Sequence, residues 1–338
     1  MNGDENTAIF HASLKARRIQ NRIYSIHTEQ GTWVDTVDGV QRAFLDYYQN
    51  LLGTQLQSRR KVSPAIVDLG PGISEAHSRL LVESFTAQEV KEALFSIPGK
   101  LLKEINATTI TLIPKIKCPG KVSDFRPISC CNVLYKIASK MICARLRRVL
   151  PDLIAENQGG FVHGRYIAHN IMICQDLVQH YGRKNCKPSC LIKVDLQKAY
   201  DTIEWDFIEE MLAAFKFPKK LIQLIMICVR TPKFSLMLNG SLCGFFVAKR
   251  GLRQGDPNVS IIVCVRGLKL FSGTFGLVPN QNKSAIYCSG MIEAEVNRIL
   301  EASGFARSQL PFRYLGIPIC SKRISSVECG LILEKMMH

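Results

Sequence analysis

The run CLIKVD, Cys190 to Asp195, is a short apolar strand pattern that ends on a carboxylate. A polar turn follows, and then WDFIEEMLAAF, whose apolar residues recur at helical spacing. Strand, loop and helix in that order deliver an acidic group from a rigid element to a cleft while the loop stays open to a substrate. An aspartate so placed ligates a metal, takes part in catalysis or caps a turn, and the residue alone leaves these open. Asp201 reads differently, because Glu204 follows it at the D-x-x-E spacing of a helix N-cap.

Around this unit the sequence alternates helical and strand patterns, giving an α/β (α+β) chain. Residues 8–30 carry Ile9, Leu14, Ile19 and Ile23 among Lys15, Arg17, Arg18 and Arg22, and predict a basic helix closed by Gly31 that either lies along phosphates or simply presents a solvated face. VQRAFLDYYQNLLG predicts a second helix, and TAQEVKEALFSI a third with Thr86 and Glu89 as a capping box. INATTITLIPKI reads as a strand and DFRPISCCN as an extended segment enforced by Pro127. A helix from Tyr135 to Leu150 ends at Pro151, with Arg145, Arg147 and Arg148 complementing its dipole. Another, RYIAHNIMICQDLVQHYG, stops at Gly182. Asn239-Gly240 between two apolar runs predicts a hairpin.

The chain has 44 Lys/Arg against 28 Asp/Glu, and 37 against 22 of these fall in residues 61–338. A polyanion is the partner such a balance suits. Most of the thirteen cysteines lie in apolar runs and read as reduced, buried, small hydrophobes. No C-x-x-C pair occurs, and His180, Cys186 and Cys190 lack zinc-site spacing. The acidic N-terminus and the lack of a long apolar run predict an intracellular protein, nuclear or cytoplasmic, with no membrane partner. Nothing in the sequence addresses oligomeric state.

Three stretches in order, TLIPKIKCPGKVSDFRPIS, IKVDLQKAYD and GLRQGDP, resemble the reverse transcriptase of LINE-type (non-LTR) retrotransposons of the kind abundant in plants. The resemblance runs from FHASLKARRIQNRI to LPFRYLGIPICSKRIS. It implies a right-hand polymerase fold with an N-terminal helical extension (1–85), fingers with part of the palm (86–190), palm (191–290) and the start of a thumb (291–338). It also implies an RNA template, a DNA primer and deoxynucleoside triphosphates as partners, with Mg²⁺ as cofactor.

By that resemblance Asp195 is the first catalytic aspartate of the palm and a metal ligand, and Lys283 the lysine that protonates pyrophosphate. Lys115 and Arg126 hold the triphosphate, Tyr200 is the steric gate under the sugar, and Gln254 and Gly255 border the nucleotide. Gly251 and Arg253 belong to the template turn, while Tyr314, Leu315 and Gly316 lie in the strand that grips the primer.

The family continues beyond its RQGDP turn into a long helix and a β-hairpin bearing an aromatic-Ala-Asp-Asp motif. Here only thirteen residues, 258–270, separate Pro257 from FSGTFGLVPNQNKS, which resembles the segment beyond that hairpin. None of the twelve aspartates adjoins another. A second seam joins Gly99 and Lys100 directly to Leu101, where the family has further fingers sequence. With no counterpart of the family's endonuclease, zinc knuckle or RNase H, the chain resembles an internal piece of a longer element, a decayed copy or a gene model that splices parts out. The expectation is a catalytically defective polymerase domain, and the alternative is a non-catalytic RNA/DNA-binding remnant or an unstable product.

Overall fold

The computed structural model of the 338-residue chain describes residues 8–95, 107–160, 162, 164–179, 181, 187–253 and 279–321. The basic N-terminal helix α1 (Ala8–Gln20) is shorter than the pattern predicts. The helical stripe gives way because Ile26 is completely buried, pairing as β1 (Ile26–His27) with β2 (Trp33–Val34). Gly31, expected to stop the helix, instead turns this ribbon at φ 84°.

Helix α2 (Val37–Gly53) starts where Thr36 accepts a hydrogen bond from Gly39 N, and it buries Val40, Phe44, Tyr47, Tyr48 and Leu51, the i, i+3, i+4 stripe of a core-facing helix. After α3 (Pro64–Val67) and α4 (Glu75–Val82), α5 (Ala87–Phe95) opens on the predicted capping box. Thr86 N donates to Glu89 Oε2 at 2.8 Å and Glu89 N to Thr86 Oγ1 at 3.1 Å.

β3 (Ala107–Pro114) and β4 (Phe125–Cys130) form an antiparallel pair and lead into α6 (Val133–Leu153). Asn132 caps α6 by accepting from Tyr135 N, so the helix starts earlier than predicted. It also runs through Pro151, whose missing N–H falls in the last turn. Arg145 does not serve the helix dipole: it is buried, donating to Glu83 O, to Ser84 O at 3.0 Å and to both Glu89 oxygens at 3.1 Å, with its guanidinium 3.8 Å from the Phe85 ring centre. One planar fork thereby clamps the α4–α5 junction onto α6.

Helix α7 (Ile167–Val178) ends before Gly182, which lies outside the described residues. It leads to β5 (Ser189–Lys193), α8 (Trp205–Ala214) and α9 (Lys219–Arg230). The hairpin of β6 (Lys233–Leu238) and β7 (Ser241–Val247) turns on Asn239 and Gly240, both at positive φ as predicted. Then come β8 (Ala285–Ser289), α10 (Glu293–Ser303), β9 (Ala306–Arg307), β10 (Phe312–Tyr314) and β11 (Ile317–Ile319).

The larger sheet has the order β4-β3-β6-β7 and the smaller β5-β8-β9. A main core draws on Ile26, α2, α6, α8, α9, β6 and β7, from Ile26 to Leu252. A smaller cluster of Val178, Tyr287, Phe312 and Ile319 joins α7 to β8 and the β10–β11 hairpin. Of the ten described cysteines, all free thiols, only Cys131, Cys143 and Cys243 are buried, so the reading of most as core residues is corrected: several sit on alternate, outward strand positions. Among the described residues no helix is long and apolar enough to cross a membrane.

Arg145→Ala should lower the unfolding free energy by about 2–4 kcal/mol, since two carbonyls and a carboxylate lose their donor together. The Arg145 guanidinium, helped by Thr86 N–H, holds Glu89 down to about 2 from its ordinary 4.5. A depressed carboxylate stabilises the fold above its ordinary pKa, and that contribution is lost as pH falls towards the depressed one. Denaturant midpoints measured from about pH 5 to pH 2 should therefore fall more in the parent chain than in Arg145→Ala.

Candidate functional site

Asp195 lies two residues beyond β5, where the chain is stitched to the turn that carries Lys283. Asp195 N donates to Ser284 Oγ at 3.0 Å, Asn280 N donates to Asp195 O at 2.7 Å, and Lys283 N donates to Asn280 O at 3.1 Å. Leu196 forms a bridge with Pro279. The antiparallel register of β5 and β8, in which Lys193 faces Ala285, thus brings half-buried Asp195 and exposed Lys283 to one end of the smaller sheet. The sequence pattern does not single out Ser284, the buried residue that sets this contact; its one signal is a small polar residue leading a β-patterned run. Among the described residues no three His, Cys, Asp or Glu side chains come together as a metal site. Two divalent ions about 4 Å apart need several converging carboxylates, and the described donors around Asp195 do not fit that requirement.

A second group of charges surrounds Lys115. The turn joining β3 to β4 is closed by the Asp124 carboxylate, which accepts from Gly120 N at 3.0 Å and Lys121 N at 2.9 Å. Lys115 beside it donates through Nζ to Ser123 O at 2.7 Å, and Arg126 stands exposed across the ladder from Ile113. Burial lowers the Lys115 pKa, Asp201 opposes that shift, and the charges of Lys198 and Arg126 add to it. Lys198, at φ 43°, also places its ammonium 4.9 Å from the Tyr47 ring centre. Lys115 is thus within the field of two other cations, Lys198 and Arg126, and of two carboxylates, Asp201 and Asp124. The D-x-x-E spacing predicts Asp201 as the N-cap of α8, but Glu204 occupies that position, held by Leu56 N at 3.3 Å and by its pairing with Arg250. Asp201 sits instead in the preceding turn, its N–H bonded to Lys198 O at 2.7 Å.

The Gly251 turn packs against that same loop. Gly251 N donates to Ile203 O at 2.8 Å, Leu252 N to Tyr200 O at 2.6 Å, and Trp205 Nε1 to Gly251 O at 2.7 Å. At φ 88° a Cβ on residue 251 would stand 2.7 Å from Asp201 O and 2.9 Å from Leu52 Cδ2, so only glycine fits. Tyr200 is half-buried against the main core. Arg253 faces inward, its guanidinium 3.6 Å from the Tyr135 ring centre and Nη1 3.6 Å from Cys131 Sγ. The segment FRYLGIP is a hairpin rather than one strand: Tyr314 pairs with Ile317 around Leu315 (φ 53°) and Gly316 (φ 83°). Gln254, Gly255, Asp256 and both seams, 99–101 and 258–270, lie outside the described residues.

Residues 113–268 match the family model described as "Reverse transcriptase (RNA-dependent DNA polymerase)". The "Transposon TX1 uncharacterized 149 kDa protein" of Xenopus laevis is 24% identical over 75% of this chain and 22% of its own length. The "Retrovirus-related Pol polyprotein from type-2 retrotransposable element R2DM" of Drosophila melanogaster is 29% identical over 47% of this chain and 15% of its own. Over residues 113–268 the chain is thus similar to reverse transcriptases, and these relatives are non-LTR elements. It spans less than a quarter of the length of these relatives. A solved telomerase of Candida tropicalis, in complex with a fragment of telomeric RNA, aligns with 67% of this chain and 45% of its own at 12% identity and TM-score 0.38. The reverse-transcriptase match includes Lys115, Arg126, Asp195, Tyr200, Gly251 and Arg253, whereas Lys283 and the Tyr314–Gly316 turn lie C-terminal to it.

Gly251→Ala should cost about 2–4 kcal/mol, because strained backbone and a backbone overlap at Asp201 add together. Trp205 is buried and Trp33 exposed. A red shift of the buried tryptophan's emission in Gly251→Ala, read in the Trp33→Phe background, reports release of the turn.

Proposed function

We propose that this domain descends from an RNA-directed DNA polymerase and now binds nucleic acid without extending it. What carries the reading is the want of companions for Asp195: no two aspartates adjoin in the sequence, and among the described residues no three His, Cys, Asp or Glu side chains gather as a metal site. In an active palm, further carboxylates would share Mg²⁺ with Asp195. The fingers here comprise the β3–β4 hairpin and the palm comprises β5, α8 and β6–β8, with the thumb beginning near α10.

The basic group supports binding. Lys115, Arg126 and Lys198 would meet an incoming phosphate with a compact ammonium, a guanidinium fork and a second ammonium, while Asp201 and Asp124 offset the repulsion that Lys115 feels from the other two. Tyr200 is assigned to support a sugar, Gly251 to bring backbone close to the template, and Tyr314–Gly316 to hold a primer. Arg253 acts from within, setting the turn through Tyr135. Gln254 and Gly255 are assigned to the nucleotide side, and Lys283 stands ready as a proton donor with no leaving group made for it.

Incubated with poly(rA)/oligo(dT), thymidine triphosphate and Mg²⁺ or Mn²⁺, the chain should give no extension above a protein-free control. Extension that Asp195→Ala abolishes overturns the reading. Binding to an RNA–DNA duplex should weaken steeply with salt, as released counterions require. The double substitution Lys115→Ala, Arg126→Ala should weaken it about tenfold and flatten the logarithmic salt slope by roughly two, one for each phosphate left without its cation.

A further inference from the structure

Cys190 on β5 and Cys288 on β8 face each other directly across the antiparallel ladder. Residues so opposed project from the same face, with Cα atoms about 4.5–5.5 Å apart. That separation lies inside the window of about 4.4–6.8 Å that a disulfide spans. Both are free thiols, and Cys288 is near enough to act on the Cys190 thiol. The neighbouring pair, Leu191 and Tyr287, points the other way into the Phe312 cluster, so the thiols occupy the opposite face. Cys190 is exposed and Cys288 half-buried, which leaves the pair open to a small reagent while holding the two sulfurs together.

We propose that Cys190 and Cys288 form a redox site, closing a reversible cross-strand disulfide by exchange with a low-molecular-weight disulfide such as oxidised glutathione. The thiolate of exposed Cys190 attacks one glutathione sulfur, the glutathione S–S bond breaks, and one glutathione leaves as thiol. The Cys288 thiolate then attacks the Cys190 sulfur of the mixed disulfide and expels the second glutathione. The protein pair gives up two electrons and two protons, and the two glutathione thiols carry them away. Burial and the neighbouring Cys288 raise the Cys190 thiol above its ordinary range, so exchange quickens as pH rises and thiolate accumulates. In a reducing compartment the pair stays open.

The bond would sit five residues from Asp195 on one strand and five from Lys283 on the other. It would fix the lateral register of the two segments that present those groups, and it ties together chain positions 190 and 288, removing freedom from the unfolded chain. This inference rests on strand register alone and is independent of whether the domain polymerises.

The test uses the full chain, reduced and desalted, then incubated with oxidised glutathione at about pH 8. Remaining thiols are blocked with N-ethylmaleimide before peptide mapping by mass spectrometry. The expected product is a peptide holding Cys190 joined to one holding Cys288, two hydrogens lighter than their sum and separated again by dithiothreitol. The melting temperature of the oxidised chain should rise by roughly 3 °C or more. Cys190→Ser and Cys288→Ser should each lose the cross-linked peptide and the rise. Recovery of both cysteines as maleimide adducts from the folded, oxidised chain overturns the proposal, as does finding either joined only to glutathione or to a different cysteine. Should a serine variant fail to fold, the peptide map of the parent chain decides by itself.

Discussion

Three stretches far apart in the sequence meet at a single backbone position. The peptide groups around Gly251 are bonded to Ile203 and Tyr200 on one side and to the Trp205 indole on the other, while Lys249 and Arg250 donate to Leu52 O at the end of α2. No side chain fits there, since a methyl group would meet the Asp201 carbonyl. The contact fixes the loop that carries Lys198 and Asp201, and with it the charges around Lys115. It also delivers the N-terminal α2 to the same core as α8 and α9, so the helical extension and the strand-loop-helix unit share one hydrophobic interior. Buried Glu204 with Arg250, and Glu210 accepting from Arg59 and from Val62 N at 2.9 Å, extend that seam.

Local signals in the sequence are reliable where the cause is local. The Asn239-Gly240 turn, the Thr86–Glu89 capping box and the helix over VQRAFLDYYQNLLG follow from residues a few positions apart, and each forms, the helix starting three residues earlier at Val37. The departures arise where a distant partner decides. Ile26 leaves the basic helix because the main core takes it. Asp201 yields the N-cap position because Glu204 is pinned from Leu56 and Arg250, about 150 and 46 positions away. The juxtaposition of Asp195 with the Lys283 turn depends on strand register between segments some 90 residues apart, and no local pattern reveals it.

Net charge illustrates the same limit. The sequence counts Arg145 among the cations available to a polyanion, yet its guanidinium is taken up by two carbonyls and Glu89. Arg165 likewise donates to the carbonyls of Pro151, Ile154, Ala155 and Gln158, satisfying the open end of α6 that a capping residue would otherwise serve. Arg253 is engaged inside the fold by Tyr135. The electrostatic footprint is therefore set by fewer residues than composition suggests, with exposed cations such as Lys115, Arg126 and those of α1 among them.

The two halves of the site differ in what they need from the rest of the chain. The phosphate binding proposed for Lys115, Arg126 and Lys198 would draw on one hairpin and one loop, both anchored in the main core, and a cation can act on an anion singly. Sharing two divalent ions is a collective property: one carboxylate without its companions leaves most of each ion's charge and coordination shell unmet. Loss of a single palm hairpin would thus abolish ion sharing outright while leaving the anion-facing group standing on its own supports. On the proposed reading, binding would outlast ion sharing, because its parts are separable and those of a two-ion site are not.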